Sequence, residues 1–126
     1  MILVIDASAA YDLLTEGRCA QRILGAEELI SPDLIVAELL NARWKVACTR
    51  EAVPQLNTVV EFLDRLRIVP SLPYAVDAAR LAERLNHPVY DCLYVAAAQR
   101  ERAKLLTVDS RLARKLRSGT LSRILQ

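Results

Sequence analysis

Asp6, Glu38, Asp91 and Asp109 are the residues of this 126-residue chain best placed for chemistry. Asp6 ends the apolar run Ile2–Ile5, and Asp109 directly follows LLTV. Glu38 lies inside VAELL, and Asp91 shares a helical face with Tyr94, Val95 and Ala98. An ionised carboxylate on such an apolar stripe needs a compensating partner. Hard oxygen donors of this kind suit Mg²⁺ or Mn²⁺, so one acidic, metal-holding pocket would account for all four. Each also has an ordinary reading when taken alone. Asp6 and Asp109 fit helix N-caps, Glu38 an exposed glutamate, and Asp91 an acid in a helix's first turn. Asn41, three residues after Glu38, can share its helix face. Thr107 projects to the same side as Asp109 in an extended segment.

Other site chemistries lack their signatures. There is no GxxxxGK[ST] phosphate loop and no GxSxG nucleophile elbow. Cys19, Cys48 and Cys92 are isolated and odd in number, which reads as reduced thiols in a cytoplasmic protein. His87, the one histidine, precedes Pro88 and is expected in a loop rather than at a zinc site.

The elements that must position the four acids follow from hydrophobic periodicity. Ile2–Ile5 reads as a strand buried on both faces, as in the middle of a parallel sheet. Beyond the carboxyl end of such a strand, open α/β sheets bind their ligands. A short helix is expected from Ser8 to Leu14, another from Cys19 to Leu24, and a brief strand at Leu29–Ser31. A long helix from about Asp33 to Arg50 buries Ile35, Leu39, Ala42 and Val46. A helix from Pro54 presents Leu56, Val59, Val60, Leu63 and Leu66, before a strand at Ile68–Val69. The next helix, opened by Pro73, packs through Ala75, Ala78, Ala79, Ala82 and Leu85. A helix over Val89–Arg102, a strand over Leu105–Val108 and a helix over Ser110–Arg117 complete the pattern, with a weak edge strand at Ile124–Leu125. Short strands alternating with helices predict an α/β fold, a parallel sheet of four or five strands covered on both sides, in a single domain over residues 1–126. Trp44 and Phe62 are expected in the core.

Composition narrows the partners. Hydrophobic residues make up 53% and charged residues 25%, which excludes a disordered chain. No apolar run reaches the roughly 20 residues of a membrane span, and no basic n-region marks a signal peptide. Aromatics are 5%, so stacking on exposed rings is not the expected mode of nucleic-acid binding. Charge is uneven. Residues 1–99 carry 9 basic and 13 acidic side chains, residues 100–126 carry 8 and 2. Arg100, Arg102, Lys104, Arg111, Arg114, Lys115 and Arg117 therefore offer either a solvated helical face or a phosphate-steering surface beside the acidic site.

VIDASA, VAELLN, YDCLYVAAA and LLTVDSRLA together resemble, in order, the motifs of PIN-domain ribonucleases, and most closely the VapC-type toxins of toxin–antitoxin pairs. The likeness runs to about Leu116. It implies a three-layer α/β/α sandwich and an acidic quartet of Asp6, Glu38, Asp91 and Asp109 that binds Mg²⁺ or Mn²⁺ and is catalytic. It also implies supporting roles for Ser8, Asn41 and Thr107, RNA as substrate with 5′-phosphate products, a cognate antitoxin and a homodimer. Family members commonly finish with a clear apolar strand, of which GTLSRILQ is a poor example. Two other readings are a PIN-like RNA-processing nuclease without an antitoxin and a metal-stabilised binding module that does not turn over. A haloacid-dehalogenase-type phosphotransferase wants an Asp where Ser8 stands, and a receiver domain wants a Lys where Asp109 stands.

Overall fold

The computed structural model describes residues 1–117. Four consecutive apolar residues make β1 (Ile2–Ile5), whose Leu3, Val4 and Ile5 have no exposed surface. A strand so covered needs helices on both its faces. β2 (Glu28–Pro32) and β4 (Lys104–Leu106) flank β1 in parallel, and β3 (Arg67–Val69) pairs with β2, giving the order β3-β2-β1-β4. Leu3 lies opposite both Leu29 and Lys104, which fixes the register across the centre of the sheet.

The helices follow the expected alternation. α1 (Ala7–Leu14) and α2 (Ala20–Ile23) lie between β1 and β2, and α3 (Leu34–Cys48) and α4 (Leu56–Arg65) between β2 and β3. A single 3₁₀ turn at Leu72–Tyr74 leads into α5 (Ala75–Leu85) and α6 (Val89–Arg100), and α7 (Ser110–Arg117) follows β4. The result is the three-layer α/β/α sandwich. α6 is its central helix. It buries Cys92, Tyr94, Val95, Ala96, Ala97 and Ala98, and it packs on β1, β2 and β4. Its alanines allow this close approach, and its core position explains why it is apolar nearly all round.

Several expectations are corrected. The helix anticipated from Pro54 begins at Leu56, because Gln55 is still extended. Its Leu56 and Val60 are exposed, and the buried stripe is Val59, Leu63 and Leu66. Ala79 of α5 faces solvent, and Trp44 is 60% exposed rather than in the core, while Phe62 is only partly buried. Only the first half of α3, which packs against α1, is deeply buried, through Ile35 and Leu39; from Asn41 to its end no residue is fully buried, and the expected Ala42 and Val46 are only partly covered. The edge strand expected at Ile124–Leu125 lies outside the described residues. Among the described residues no helix is long and apolar enough to cross a membrane.

Candidate active site

The site lies at the point where the sheet changes direction. The chain leaves β1 towards β2 on one side, whereas β4 comes in on the other. Helices that depart to opposite sides leave a crevice beyond the carboxyl ends of the two strands. Asp6 follows β1 and Asp109 follows β4, so topology alone sets these two carboxylates across the crevice. Hydrogen bonds then tie its walls together. The Val108 amide donates to Ser8 Oγ at 3.1 Å, and the Ser8 and Thr107 hydroxyl oxygens lie 3.3 Å apart.

Each acid is oriented by the element that carries it. Asp6 is the N-cap of α1: its Oδ1 accepts from the Ala9 amide at 2.9 Å and from the Ser8 hydroxyl at 2.7 Å. Asp109 does the same for α7, its Oδ1 accepting from the Arg111 and Leu112 amides at 2.9 and 3.2 Å. The Thr107 hydroxyl accepts from the Asp109 amide at 3.1 Å. Glu38 projects from α3 and accepts from the Tyr94 hydroxyl at 2.5 Å. Asp91, in the first turn of α6, pairs with His87 Nε2 at 2.7 Å. All four acids line one cleft of about 580 Å³, together with Ser8, Asn41 and Tyr94. At Asp6 and Asp109 one oxygen caps a helix while the residue lines the cleft, so the capping role leaves room for the functional one.

Electrostatics mark the site as costly for an uncompensated charge. Burial pushes Asp6 from its ordinary 3.8 up to about 6, against the hydrogen bonds from Thr107, Ala9 and Ser8, and the nearby Asp91 pushes the same way. Burial also raises Glu38, offset by the Tyr94 hydroxyl and reinforced by Asp91. Tyr94 is raised in turn by burial and by Glu38. Carboxylates that discourage one another's ionisation are the donor set a hard divalent cation satisfies. Ligand atoms of His87, Asp91 and Asp109 all lie within 4.8 Å of one another, so one part of the cluster is already gathered closely enough for a shared ion.

Residues 3–116 match the PIN domain family. The chain belongs to that family, in its VapC branch. It is 37% identical over 124 residues to Ribonuclease VapC3 of Pyrobaculum aerophilum, a match that takes in 91% of this chain and 95% of the relative. It is 34% identical to Ribonuclease VapC12 of Mycobacterium tuberculosis, across 89% of this chain and 90% of that one. The crystal structure of PAE2754 from Pyrobaculum aerophilum superposes with a TM-score of 0.74 at 25% identity, covering 91% of this chain and 79% of that chain. At 17% identity, the VapBC2 structure from Rickettsia felis, determined bound to a promoter DNA fragment, shares the fold with a TM-score of 0.62, covering 90% of this chain and 92% of that chain.

Within this PIN fold the basic residues of the last third of the chain divide. Arg100, Arg102 and Lys104 sit at the end of α6 and the start of β4, the far end of the sheet from Asp109. Arg100 is spent on Asp77 at 2.9 Å. α6 thus carries the chain about 14 Å along its axis between Asp91 and Arg100, which sets these three apart from the pocket beside which a phosphate surface is expected. Lys115 reaches back to the Asn86 carbonyl at 2.5 Å. Arg111 is exposed on the first turn of α7. Arg114 and Arg117 line a second cleft of about 540 Å³ with Arg18, Arg22, Thr107 and Ser110, and this cleft shares Asp109 with the acidic one. Thr107 lines this second cleft, while its hydroxyl also bonds Asp6 and approaches Ser8.

Four residues at the site escaped the sequence pattern. His87 does lie in a turn, but it is buried and bonded to Asp91. Its spacing, four residues before Asp91, was the available signal. Tyr94 appeared only as part of an apolar stripe, and a hydroxyl in such a stripe has to find a partner. Arg18 and Arg22 lie far from the basic tail in sequence. The three cysteines are free, and burial pushes Cys19 up to about 12 and Cys92 to about 11, which keeps both as inert thiols.

Proposed function

We propose that this chain is a VapC-type ribonuclease, the toxin of a toxin–antitoxin pair, which hydrolyses RNA phosphodiester bonds with Mg²⁺ or Mn²⁺. The observation that carries this reading is the convergence of Asp6, Glu38, Asp91 and Asp109, distant in sequence, on one cleft at the switch point of a PIN fold. Asp6, Asp91 and Asp109 would hold the cation. When bound, it offsets charge growing on the phosphate and acidifies water. Glu38, raised by burial and fixed at one oxygen by Tyr94, presents its other oxygen to the attacking water. In-line attack on phosphorus expels the 3′-oxygen and leaves a 5′-phosphate product. Ser8 and Thr107 hold the strand ends together, and Asn41 contributes a polar wall. Arg114 and Arg117, with Arg22, take flanking phosphates in the neighbouring cleft and add affinity rather than sequence choice, whereas Arg18 is paired to Asp12 and Glu16. An antitoxin that covers the cleft, a homodimer, a single domain and a cytoplasmic setting complete the proposal.

The test is cleavage of labelled RNA by the purified chain with Mg²⁺, Mn²⁺ or EDTA, beside Asp91→Asn. Cleavage with either cation, its loss in EDTA, and a fall on the order of 100-fold or more in the variant are expected. Cleavage that persists in EDTA, or undiminished cleavage by folded Asp91→Asn, would reject the assignment.

A further inference from the structure

We infer that His87 is a positioning residue for Asp91, delivering one defined oxygen of that carboxylate to the cation site; the inference rests on the function proposed above. His87 sits in the turn between α5 and α6 and is 7% exposed. Three backbone features fix it there. Asn86, the C-cap of α5, is in the left-handed region with φ 50, which turns the chain sharply out of the helix. The His87 amide donates back to the Ala82 carbonyl at 3.1 Å, satisfying an orphan acceptor of that helix end. Pro88 then sets the start of α6. From α7, Lys115 Nζ clamps the Asn86 carbonyl. A ring held by so many backbone restraints has little freedom to follow Asp91. Asp91 has to follow the ring.

The two ring nitrogens settle the direction of the bond. Nε2 lies 2.7 Å from Asp91 Oδ2, whereas Nδ1 is buried without a hydrogen-bond partner among the described residues. With the proton on Nε2, the imidazole donates to Oδ2 and Nδ1 is a bare lone pair. With the proton on Nδ1, the structure would bury an unpaired N–H donor and set two acceptors 2.7 Å apart. Buried orphan donors are the rarer and costlier case. The Nε2–H tautomer is therefore the one that fits, and it turns His87 into a donor to a ligand rather than a ligand. That bond leaves Oδ1 free of His87, and a carboxylate oxygen of Asp91 lies within 4.8 Å of one of Asp109. Hydrogen bonds to ligating carboxylates are worth roughly 10- to 100-fold in metal affinity.

The experiment measures Mn²⁺ affinity by electron paramagnetic resonance on the full chain, with thermal unfolding to confirm folding, for wild type, His87→Ala, His87→Gln and His87→Asn. Gln places its amide nitrogen where Nε2 stands, and Asn where Nδ1 stands. A loss of roughly 10- to 100-fold in His87→Ala is expected, substantially recovered by Gln and not by Asn. No nitrogen coupling from an imidazole ligand is expected on bound Mn²⁺. Wild-type affinity in folded His87→Ala, equal behaviour of Gln and Asn, or direct imidazole coupling would overturn the inference while leaving the nuclease reading intact. A wild-type chain that binds no Mn²⁺ would overturn both.

Discussion

Asp6→Asn should make the metal-free protein more stable, and only above about pH 4. The structure buries this carboxyl at 5% exposure and lifts its pKa from 3.8 to about 6. A raised folded-state pKa means that Asp6's contribution to stability is complete below about pH 3.8 and is lost as the pH rises through about 6. At pH 8 the folded protein holds an ionised group that the unfolded chain hydrates freely, and the difference is about 3 kcal/mol. Asparagine removes that charge and still offers Oδ1 to the Ser8 hydroxyl and the Ala9 amide, so the cap of α1 survives. Urea unfolding in EDTA at several pH values measures both proteins. Their stability difference should be near zero at pH 4 and grow to about 2–3 kcal/mol in favour of the variant by pH 8. Added Mn²⁺ should then stabilise the wild type by mass action and leave the variant unmoved. A difference that stays flat from pH 4 to pH 8, or a variant less stable than wild type at pH 8, would refute the reasoning.

Two further outcomes follow from the same geometry. Tyr94→Phe deletes the donor that lowers the Glu38 pKa, so the acid limb of the cleavage–pH profile should move to higher pH, with a stability loss of about 1 kcal/mol; an unmoved limb would dissociate Glu38 from the proton transfer. Cleavage should weaken as salt rises, and Arg114→Ala with Arg117→Ala should flatten that dependence by about 0.7 in logarithmic slope per phosphate contact removed, whereas Arg100→Ala, already paired to Asp77, should not.

The strands and the four acids were legible because both are written in short stretches. Ile2–Ile5 is apolar without a break, and only a strand covered on both faces asks for that. Asp6 and Asp109 stand where an apolar run stops, a boundary visible without any tertiary knowledge. Glu38 and Asp91 were harder, since a helix can turn an acid to solvent; their place among apolar residues singled them out, and the family resemblance supplied the roles. The failures have physical reasons of the opposite kind. Burial of α3 stops after Leu39, so Trp44 is exposed, and helix periodicity carries no information about where a helix loses its cover. The basic tail was read as one surface because charge was counted along the chain. α6 and β4 in fact send its first three residues to the far end of the molecule, while Arg18 and Arg22 arrive beside Arg114 and Arg117 from another element.

The bonds that hold the acids in place also explain how a small fold tolerates them. A carboxylate has two oxygens, and at Glu38, Asp91 and Asp109 the donors among the described residues reach only one: Tyr94 at Oε1, His87 at Oδ2, and the α7 amides at Oδ1. The anchored oxygen is repaid locally, twice through orphan amides that a helix start must satisfy in any case, at Asp6 and at Asp109. Under the proposed function, capping and ligand placement would be the same interaction, and the fold gains helix stability from groups whose charge it otherwise disfavours. The remaining deficit is largest at Asp6, the acid nearest the sheet and the most deeply buried of the four. That is where a cation has most to offset, and it is why metal binding and folding stability should be coupled most strongly through this residue.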